Sequence, residues 1–281
     1  MNKIGVDLGG TNIRAAIVNG QSIGKHNSIQ LTGKDDFEST IRQLKSVIHS
    51  VFDESVKGIG VGVPAIVDIE KGVVYNAVNI SSWKEVPLRE ILEKEFGVPV
   101  FINNDSNCFV LGEKYFGQGK PYKNIVGITL GTGIGSGIVI EGLLYCGHNC
   151  GAGEIGYLPY LDHDFEYYCG TNFFKALHST SGREQALAAQ QNDAHALALW
   201  SAYGTHIGIA LRSVVYAFDP EIIILGGSIA KAYAFFKNSM HKAMSDIHFP
   251  KSIDRLKICI SELEHATVLG AAALVDHYHS K

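Results

Sequence analysis

The chain has 281 residues, of which 46% are hydrophobic and 19% are charged, and its formal net charge is −4. This composition is typical of a soluble globular protein, and the length allows one large or two ordinary domains. The small negative charge argues against a general nucleic-acid or membrane-surface binder, and no apolar run reaches the roughly 18 residues that span a bilayer.

The start of the chain and its cysteines indicate a cellular compartment. The N-terminus leads directly into an apolar strand and lacks the pattern of a signal peptide. Five scattered cysteines favour reduced thiols, so we predict a cytoplasmic protein. Cys146, His148 and Cys150 lie close together, but their spacing matches no zinc pattern. The cysteines are Cys108, Cys146, Cys150, Cys169 and Cys259.

A glycine-rich turn interrupts the first strands, which are predicted within residues 3–30. It reads Asp7-Leu8-Gly9-Gly10-Thr11-Asn12. Glycine permits backbone conformations closed to other residues, so successive N–H groups can converge on one anion, and Thr11 adds a hydroxyl donor. A carboxylate beside phosphate requires a cation between them, so Asp7 is predicted to bind Mg²⁺, directly or through water. An ordinary hairpin turn is the alternative.

Strands and helices alternate along the rest of the chain, which indicates an α/β architecture. A long polar loop is predicted over residues 142–170. Helices are predicted at about 35–52, 87–96, 106–115, 193–217 and 266–278. Strands are predicted at about 58–64, 98–102 and 221–225, and a pair of strands at about 67–74.

Asp105 directly follows a buried strand and is predicted to begin a helix. Residues at such strand ends point into the ligand crevice of α/β folds. A carboxylate there can accept the proton of a substrate hydroxyl while that hydroxyl attacks phosphorus. A simple helix cap is the alternative, although the neighbouring amides Asn103 and Asn104 favour a polar pocket.

A second glycine motif, Leu130-Gly131-Thr132-Gly133, repeats the strand–turn–strand pattern of the first. Two such turns can face one another and hold a polyphosphate, which suggests a two-lobed ATP-binding protein with an internal duplication. Glu154 lies in a glycine-flanked loop and can accept two sugar hydroxyls, or is simply an exposed glutamate. Gly226-Gly227 follows a strand and allows a base or ribose to approach the backbone, or is a plain turn.

These motifs together resemble the ROK sugar kinases of the actin-like ATPase superfamily, over essentially the whole chain. The matching segments are Asp7–Thr11 and Gly131–Gly137 for phosphate, Asn104–Asn107 for catalysis, Gly153–Gly156 for sugar and Ile224–Gly227 for adenosine. The resemblance implies transfer of the ATP γ-phosphate to a hexose hydroxyl, usually the 6-hydroxyl, as in glucokinases.

The same resemblance implies a domain organisation and a partner. The fold is expected to be α/β, with two ribonuclease H-like lobes and a cleft between them. The N-terminal lobe is expected over 1–118, completed by a helix over 266–281. The C-terminal lobe, over 119–265, is expected to carry dimerisation and nucleotide-binding elements. A homodimer is therefore expected, without nucleic-acid or membrane partners, and the first motif begins too early to leave room for an N-terminal DNA-binding domain.

The resemblance also implies a role for individual residues. Asp105 is the base and Asp7 the Mg²⁺ ligand through water. The residues that hold sugar are Asn79, Asn104, Asp105, Glu154 and Tyr157. The residues that hold ATP are Asp7, Gly9, Gly10, Thr11, Asn12, Gly131, Thr132, Gly133, Gly226 and Gly227.

The chain departs from the family at its zinc site. The family's zinc histidine corresponds to Tyr157, and its zinc cysteines to Tyr167, Cys169 and Phe174. One thiol cannot form a tetrahedral zinc site, so we predict no structural zinc. Packing of these aromatic residues and Tyr168 is expected in its place.

The sugar side departs as well, since the family's second substrate glutamate corresponds to Ala176. Loss of a hydroxyl-reading group can shift sugar preference by orders of magnitude. The sugar is therefore left open between glucose, N-acetylmannosamine, N-acetylglucosamine, allose, fructose and a β-glucoside. A catalytically silent sugar or nucleotide sensor is the alternative from a different class.

Overall fold

The structure, a computed structural model, describes residues 1–279, which form a mixture of strands and helices. The strands are β1 (Asn2–Leu8), β2 (Asn12–Asn19), β3 (Ser22–Gln30), β4 (Val56–Val63), β5 (Ile66–Asp68), β6 (Val73–Tyr75), β7 (Glu85–Val86), β8 (Val100–Asn104), β9 (Ile125–Leu130), β10 (Ile134–Ile140), β11 (Leu143–Tyr145), β12 (Pro159–Tyr160), β13 (His163–Asp164), β14 (Ile222–Gly226) and β15 (Lys257–Ile260). The helices are α1 (Phe37–Val51), α2 (Leu88–Phe96), α3 (Asp105–Tyr115), α4 (Phe165–Cys169), α5 (Thr171–His178), α6 (Gly182–Gln190), α7 (Ala194–Phe218), α8 (Tyr233–Ser245), α9 (Pro250–Arg255) and α10 (Ala266–His279).

The chain divides into two units. The first unit contains residues 1–121, 137–152 and the C-terminal residues from Glu262, and the second contains 122–136 and 153–261. Sequence reasoning placed residues 137–152 in the C-terminal lobe, whereas the structure groups them with the first unit. The reason is local packing: a Cβ on Gly137 would lie 2.3 Å from the carbonyl oxygen of Ser106, so this strand runs directly against α3.

The first unit is built on a five-stranded sheet with the order β3-β2-β1-β4-β8. The first three strands form an antiparallel meander, and β4 and β8 run parallel to β1. Helix α1 packs on β1, β2 and β3, while α10 packs on β1, β2, β4 and β8. Helical spacing explains the buried face of α1, because its buried residues recur three and four positions apart. They are Thr40, Ile41, Leu44, Val47, Ile48 and Val51.

Helix α10 approaches the sheet of the first unit unusually closely. A Cβ on Gly60 would lie 1.7 Å from the carbonyl oxygen of Ala271, and one on Gly5 would lie 1.9 Å from that of Val268. No side chain fits at either strand position, since real Cβ contacts are longer than about 3 Å. These glycines therefore set the distance between the sheet and α10.

The second unit surrounds β9, β14 and β15, where β14 pairs in parallel with both neighbours. Within this unit the strand order is therefore β9-β14-β15. Helix α7, with 25 residues, packs on α8 and buries a row of apolar residues. The hydrophobic core of the second unit contains a group of aromatic residues: Phe173, Phe174, Trp200, Tyr203 and Phe236.

Most predicted elements are confirmed within two residues of their ends, and the predicted third strand within 3–30 is β3. The predicted loop over 142–170 is wrong in part, because it contains β11, β12, β13, α4 and a 3₁₀ turn at Ile155–Tyr157. Each of these elements has five residues or fewer, so none carries enough periodicity to be recognised in sequence. No helix in residues 1–279 is both long enough and apolar enough to cross a membrane.

Candidate functional site

Asp7 lies near the end of β1, in the first unit. The β1–β2 register places it opposite Arg14, whose Nη1 donates to Asp7 Oδ2 at 2.9 Å. Burial raises the pKa of the Asp7 carboxyl, and the charge of Arg14 opposes that shift. The side chain is 14% exposed, so it is desolvated but still reachable from solvent.

The turn after β1 is the predicted phosphate hairpin. Gly9 N donates to Asn12 O at 2.9 Å, and Leu31 N donates to Thr11 O at 2.8 Å. Asn79 lies beside this turn, because a Cβ on Gly10 would be 2.9 Å from the Cβ of Asn79. The structure therefore brings the predicted sugar residue Asn79 next to the predicted phosphate turn.

The start of α3 shows which residue caps the helix. Asn104 Oδ1 accepts from Ser106 N at 2.8 Å and from Asn107 N at 3.4 Å, so Asn104 is the N-cap. Asp105 is the first helical residue, and its Oδ1 accepts from Ser106 N at 2.8 Å. The alternative in which Asp105 is the helix cap is therefore wrong. Asn104 Nδ2 donates to Ala65 O at 3.4 Å, so both ends of this amide bond to backbone.

Strand register brings Asp7 and the start of α3 to one edge of the first sheet. Asp7 is level with Gly62 on β4, and Gly62 is level with Asn103 on β8. Neighbouring strands lie about 4.8 Å apart, so the Cα atoms of Asp7 and Asn103 are separated by roughly 10 Å. The carboxylates of Asp7 and Asp105 both lie close enough to Cys108 to raise the pKa of its thiol, after the larger effect of burial.

The second glycine hairpin lies in the second unit. Gly131 N donates to Gly133 O at 3.0 Å, and the Thr132 carbonyl accepts from Thr171 N at 3.0 Å. Apart from Gly131 itself and its two chain neighbours, no atom of the described residues lies within 4 Å of the place where a Cβ on Gly131 would stand. The backbone of this turn is therefore open to close approach by a ligand, and the Thr132 side chain is exposed.

Gly226 and Gly227 lie at the end of β14, beside this second hairpin. Gly226 is level with Thr129 on β9. Gly227 has a φ of +87°, and a Cβ there would lie 2.3 Å from the carbonyl oxygen of Leu130. A left-handed conformation and a backbone contact both require glycine at this position.

Glu154 follows Gly153, whose carbonyl accepts from Ser136 Oγ at 2.6 Å. Burial, and then the neighbouring charge of Glu166, raise the pKa of Glu154. Tyr157 is 57% exposed, and the Glu166 charge is the largest cause that raises the pKa of its hydroxyl. The charge of Glu166 therefore acts on both Glu154 and Tyr157, the two predicted sugar-binding residues of the second unit.

Glu166 is a polar residue of this site that sequence reasoning missed. A Cβ on Gly133 would lie 2.3 Å from Glu166 Oε2, and one on Gly156 would lie 3.4 Å from the same atom. The carboxylate thus lies over the second hairpin and beside the Glu154 loop. The only sequence signal was the pair of glycines that make room for it, and a glycine does not reveal which side chain it accommodates.

The sequence profile of the ROK family matches residues 3–278. The chain belongs to the ROK family. A glucokinase from Thermotoga maritima is 32% identical to it, over 97% of this chain and 96% of that protein. A xylose repressor from Caldicellulosiruptor bescii is 29% identical to it, over 97% of this chain and 77% of that protein. The crystal structure of a ROK hexokinase from Thermus thermophilus has a TM-score of 0.81 and 25% identity, and all of both chains is covered.

Aromatic residues occupy most of the positions that resemble the zinc site of the ROK family. Tyr168 and Phe174 are buried, and Tyr167 stacks on His163 with ring centroids 3.9 Å apart. Burial raises the pKa of the Cys169 thiol, as expected for an apolar surrounding. Tyr157 is exposed and takes no part in this packing, so that part of the expectation was wrong. No group of three His, Cys, Asp or Glu residues within 1–279 is placed to hold a metal ion.

Neutralising Glu166 is expected to change the titration of its neighbour. In Glu166→Gln, the pKa of Glu154 should fall toward the ordinary glutamate value, because a like charge no longer opposes its ionisation. NMR titration of the Glu154 carboxyl carbon measures this shift. Asp254→Asn, at an exposed position of α9, removes the same charge elsewhere in the second unit and should leave the Glu154 titration unchanged. An unchanged pKa in Glu166→Gln would mean that the two carboxylates do not interact.

Proposed function

We propose that the protein is an ATP- and Mg²⁺-dependent hexose kinase that resembles a glucokinase and acts on the 6-hydroxyl of the sugar. Membership of the ROK family and relatives named glucokinase and hexokinase support the broader statement that it is a sugar kinase. The observation that carries the specific proposal is the position of Asp105. It begins α3 without serving as its cap, at the same sheet edge as Asp7.

Asp105 would act as the base. Its Oδ1 is fixed by the Ser106 N–H, which orients the carboxylate at the helix start. The sugar hydroxyl donates its proton to this carboxylate as its oxygen attacks the γ-phosphorus. Because the transition state of phosphoryl transfer is loose, this proton leaves late, and correct placement matters more than base strength.

Each of the two glycine turns, in its own unit, would bind phosphate groups of ATP. With each glycine's own chain neighbours set aside, no described atom lies within 4 Å of a Cβ on Gly131, and Asn12 O, in the same turn, is the only described atom that close to a Cβ on Gly9. Phosphate oxygens can therefore approach backbone N–H groups directly, and Thr11 and Thr132 would add hydroxyl donors. The Gly226-Gly227 backbone would accommodate the nucleoside.

Asp7 fits Mg²⁺ bound through water. Arg14 Nη1 donates to Asp7 Oδ2 at 2.9 Å, and the other carboxylate oxygen would accept from water of the hydrated ion. Mg²⁺ in kinases keeps several waters and uses one or two carboxylates together with phosphate oxygens, so a single aspartate is sufficient. The ion would neutralise phosphate charge.

The sugar would be held by Asn79, Asn104, Glu154 and Tyr157. Glu154 supplies a carboxylate acceptor whose raised pKa reflects partial desolvation, which strengthens its hydrogen bonds to hydroxyl groups. Tyr157 would offer its phenol to a hydroxyl or its ring to a sugar face. The Asn104 oxygen already accepts two hydrogen bonds at the start of α3, so its contact with sugar would use the second N–H of its amide nitrogen, which donates once, to Ala65 O.

A coupled ADP-release assay with Mg-ATP tests this proposal. The panel contains glucose, N-acetylmannosamine, N-acetylglucosamine, allose, fructose and a β-glucoside. We expect strong turnover on one hexose, and NMR of the product identifies the phosphorylated carbon. Turnover on glucose at carbon 6 is the expected result. Turnover on another sugar would mean that the proposed substrate is wrong and that the proposed reaction, phosphoryl transfer from ATP to a sugar, is right.

A non-catalytic sugar sensor is the second candidate, and the 29% identity to a xylose repressor favours it. The two candidates differ in one measurement. Isothermal titration with sugar, with and without a non-hydrolysable ATP analogue, detects binding without chemistry. Sugar binding without turnover on any member of the panel or on xylose would support the sensor and contradict the kinase.

A further inference from the structure

Two cysteines of the first unit converge on one buried amide. Cys150 Sγ lies 3.2 Å from Asn103 Oδ1, and Cys146 Sγ lies 3.5 Å from Asn103 Nδ2. Asn107 Nδ2 lies 3.7 Å from Cys146 Sγ and 3.8 Å from Cys150 Sγ. The two thiols also contact each other, which together with burial raises the pKa of Cys150.

The pair is arranged so that one thiol can react first. Cys146 is partly exposed directly after β11, followed by the exposed residues Gly147, His148 and Asn149. Cys150 is 2% exposed. Three residues separate the cysteines, and Gly147 has a φ of +71°, so the chain already turns back on itself here. A small movement would bring the two sulfur atoms from contact to the bonding distance of about 2.05 Å.

Asn103 connects this pair to the start of α3. Its Oδ1 accepts from Asn104 N at 2.8 Å and from Asn107 Nδ2 at 2.9 Å, as well as from Cys150. Asn104 is the cap of the helix whose first residue is Asp105. The Asn107 Oδ1 atom is buried without a hydrogen-bond partner within residues 1–279, so this network has little capacity to compensate for a lost donor.

We propose that Cys146 and Cys150 are a site of reversible oxidation, at which a peroxide converts the two thiols to a disulfide. The Cys146 thiolate attacks one peroxide oxygen, the O–O bond breaks, and the leaving hydroxide is protonated to water. The resulting Cys146 sulfenic acid is attacked by the Cys150 sulfur. The S–O bond breaks, and the hydroxyl leaves with the Cys150 proton as a second water. Two thiols are thereby oxidised and one peroxide is reduced to two waters.

The disulfide would alter the base indirectly. Oxidation removes the Cys150 S–H donor from Asn103 Oδ1 and draws the 146–150 loop inward, so the bond from Asn104 N to that oxygen readjusts. Displacement of a catalytic group by about 1 Å costs on the order of 10²-fold in rate, so we expect turnover to fall roughly tenfold or more. This effect on turnover rests on the proposed kinase function, whereas formation of the disulfide does not.

The first experiment treats the whole protein with hydrogen peroxide and maps its thiols by alkylation and peptide mass spectrometry. We expect one intrachain bond between Cys146 and Cys150, reversed by dithiothreitol. Cys259→Ser, which removes the partly exposed thiol of β15, should form the bond as the wild type does. Cys146→Ser and Cys150→Ser should not form it. Recovery of Cys146 as a sulfinic acid, with Cys150 still a thiol, would overturn the proposal.

The second experiment separates this proposal from the kinase assignment. The NMR shift of the Asn104 backbone amide, which donates to Asn103, should change on oxidation in the wild type and not in Cys146→Ser. If the disulfide forms and the Asn104 amide shifts while neither redox form phosphorylates any sugar, the oxidation site is supported and the proposed kinase function is contradicted. If the reduced protein is an active kinase and oxidation leaves both turnover and the amide unchanged, the link from the thiols to α3 is overturned.

Discussion

Replacement of Asp105 by asparagine is expected to lower kcat by about 10²–10⁴-fold, the usual effect of removing a general base. The amide keeps the shape of the side chain and can still accept the hydrogen bond from Ser106 N that Oδ1 accepts at 2.8 Å. It cannot accept the proton of a sugar hydroxyl. The KM for ATP should change little, because the predicted phosphate contacts lie on the glycine turns. Steady-state ADP release measures both constants.

Asp36→Asn is the matched control for this change. Asp36 also stands at the start of a helix of the first unit, where its Oδ1 accepts from Ser39 N at 3.1 Å. Asparagine is as good an N-cap as aspartate, so neither folding nor turnover should change. A thermal melt verifies that both variants are folded. Near-normal turnover in Asp105→Asn would mean that another group accepts the proton.

The candidate motifs of the first unit could be picked out in the sequence because their signals are local. Asp7 lies near the end of a buried apolar strand, the Gly9-Gly10 turn follows that strand, and Asp105 follows another. A strand end is visible in sequence as a change from apolar to polar residues. Parallel pairing then brings the strand ends to one edge without further information. What the sequence did not indicate was which of Asn104 and Asp105 caps α3, since both residue types favour that position.

Other features were missed because they depend on contacts between distant positions. Glu166 reaches Gly133 and Gly156 from a five-residue helix, and nothing in its own neighbourhood indicates this. Cys146 and Cys150 were recognised as close in sequence, but as a metal site that fits no known spacing. Their common partner, Asn103, belongs to a strand more than forty positions earlier. The link between the two cysteines and the start of α3 is therefore visible only in the folded chain.

Replacement of Gly270 by alanine is expected to destabilise the first unit by about 3 kcal/mol or more. In an exposed helix this change would stabilise, since alanine is favoured over glycine by about 1 kcal/mol. Here a Cβ would lie 1.6 Å from the carbonyl oxygen of Cys108 and 2.6 Å from the backbone nitrogen of Gly112, both on α3. Backbone atoms cannot rotate away, so α10 and α3 must separate, and overpacking of this kind outweighs helix propensity.

Gly24→Ala is the matched control, since a Cβ at this exposed position of β3 would be 3.7 Å from its nearest neighbour. Urea unfolding followed by tryptophan fluorescence in a Trp200→Phe background reports on the first unit through the fully buried Trp83. We expect a clear loss of stability for Gly270→Ala and a change within about 0.5 kcal/mol for Gly24→Ala. Because α3 carries Asp105, a Gly270→Ala protein that remains folded should also lose turnover. Wild-type stability in that variant would contradict the close crossing of α3 and α10, and with it the rigid placement of Asp105, the proposed base.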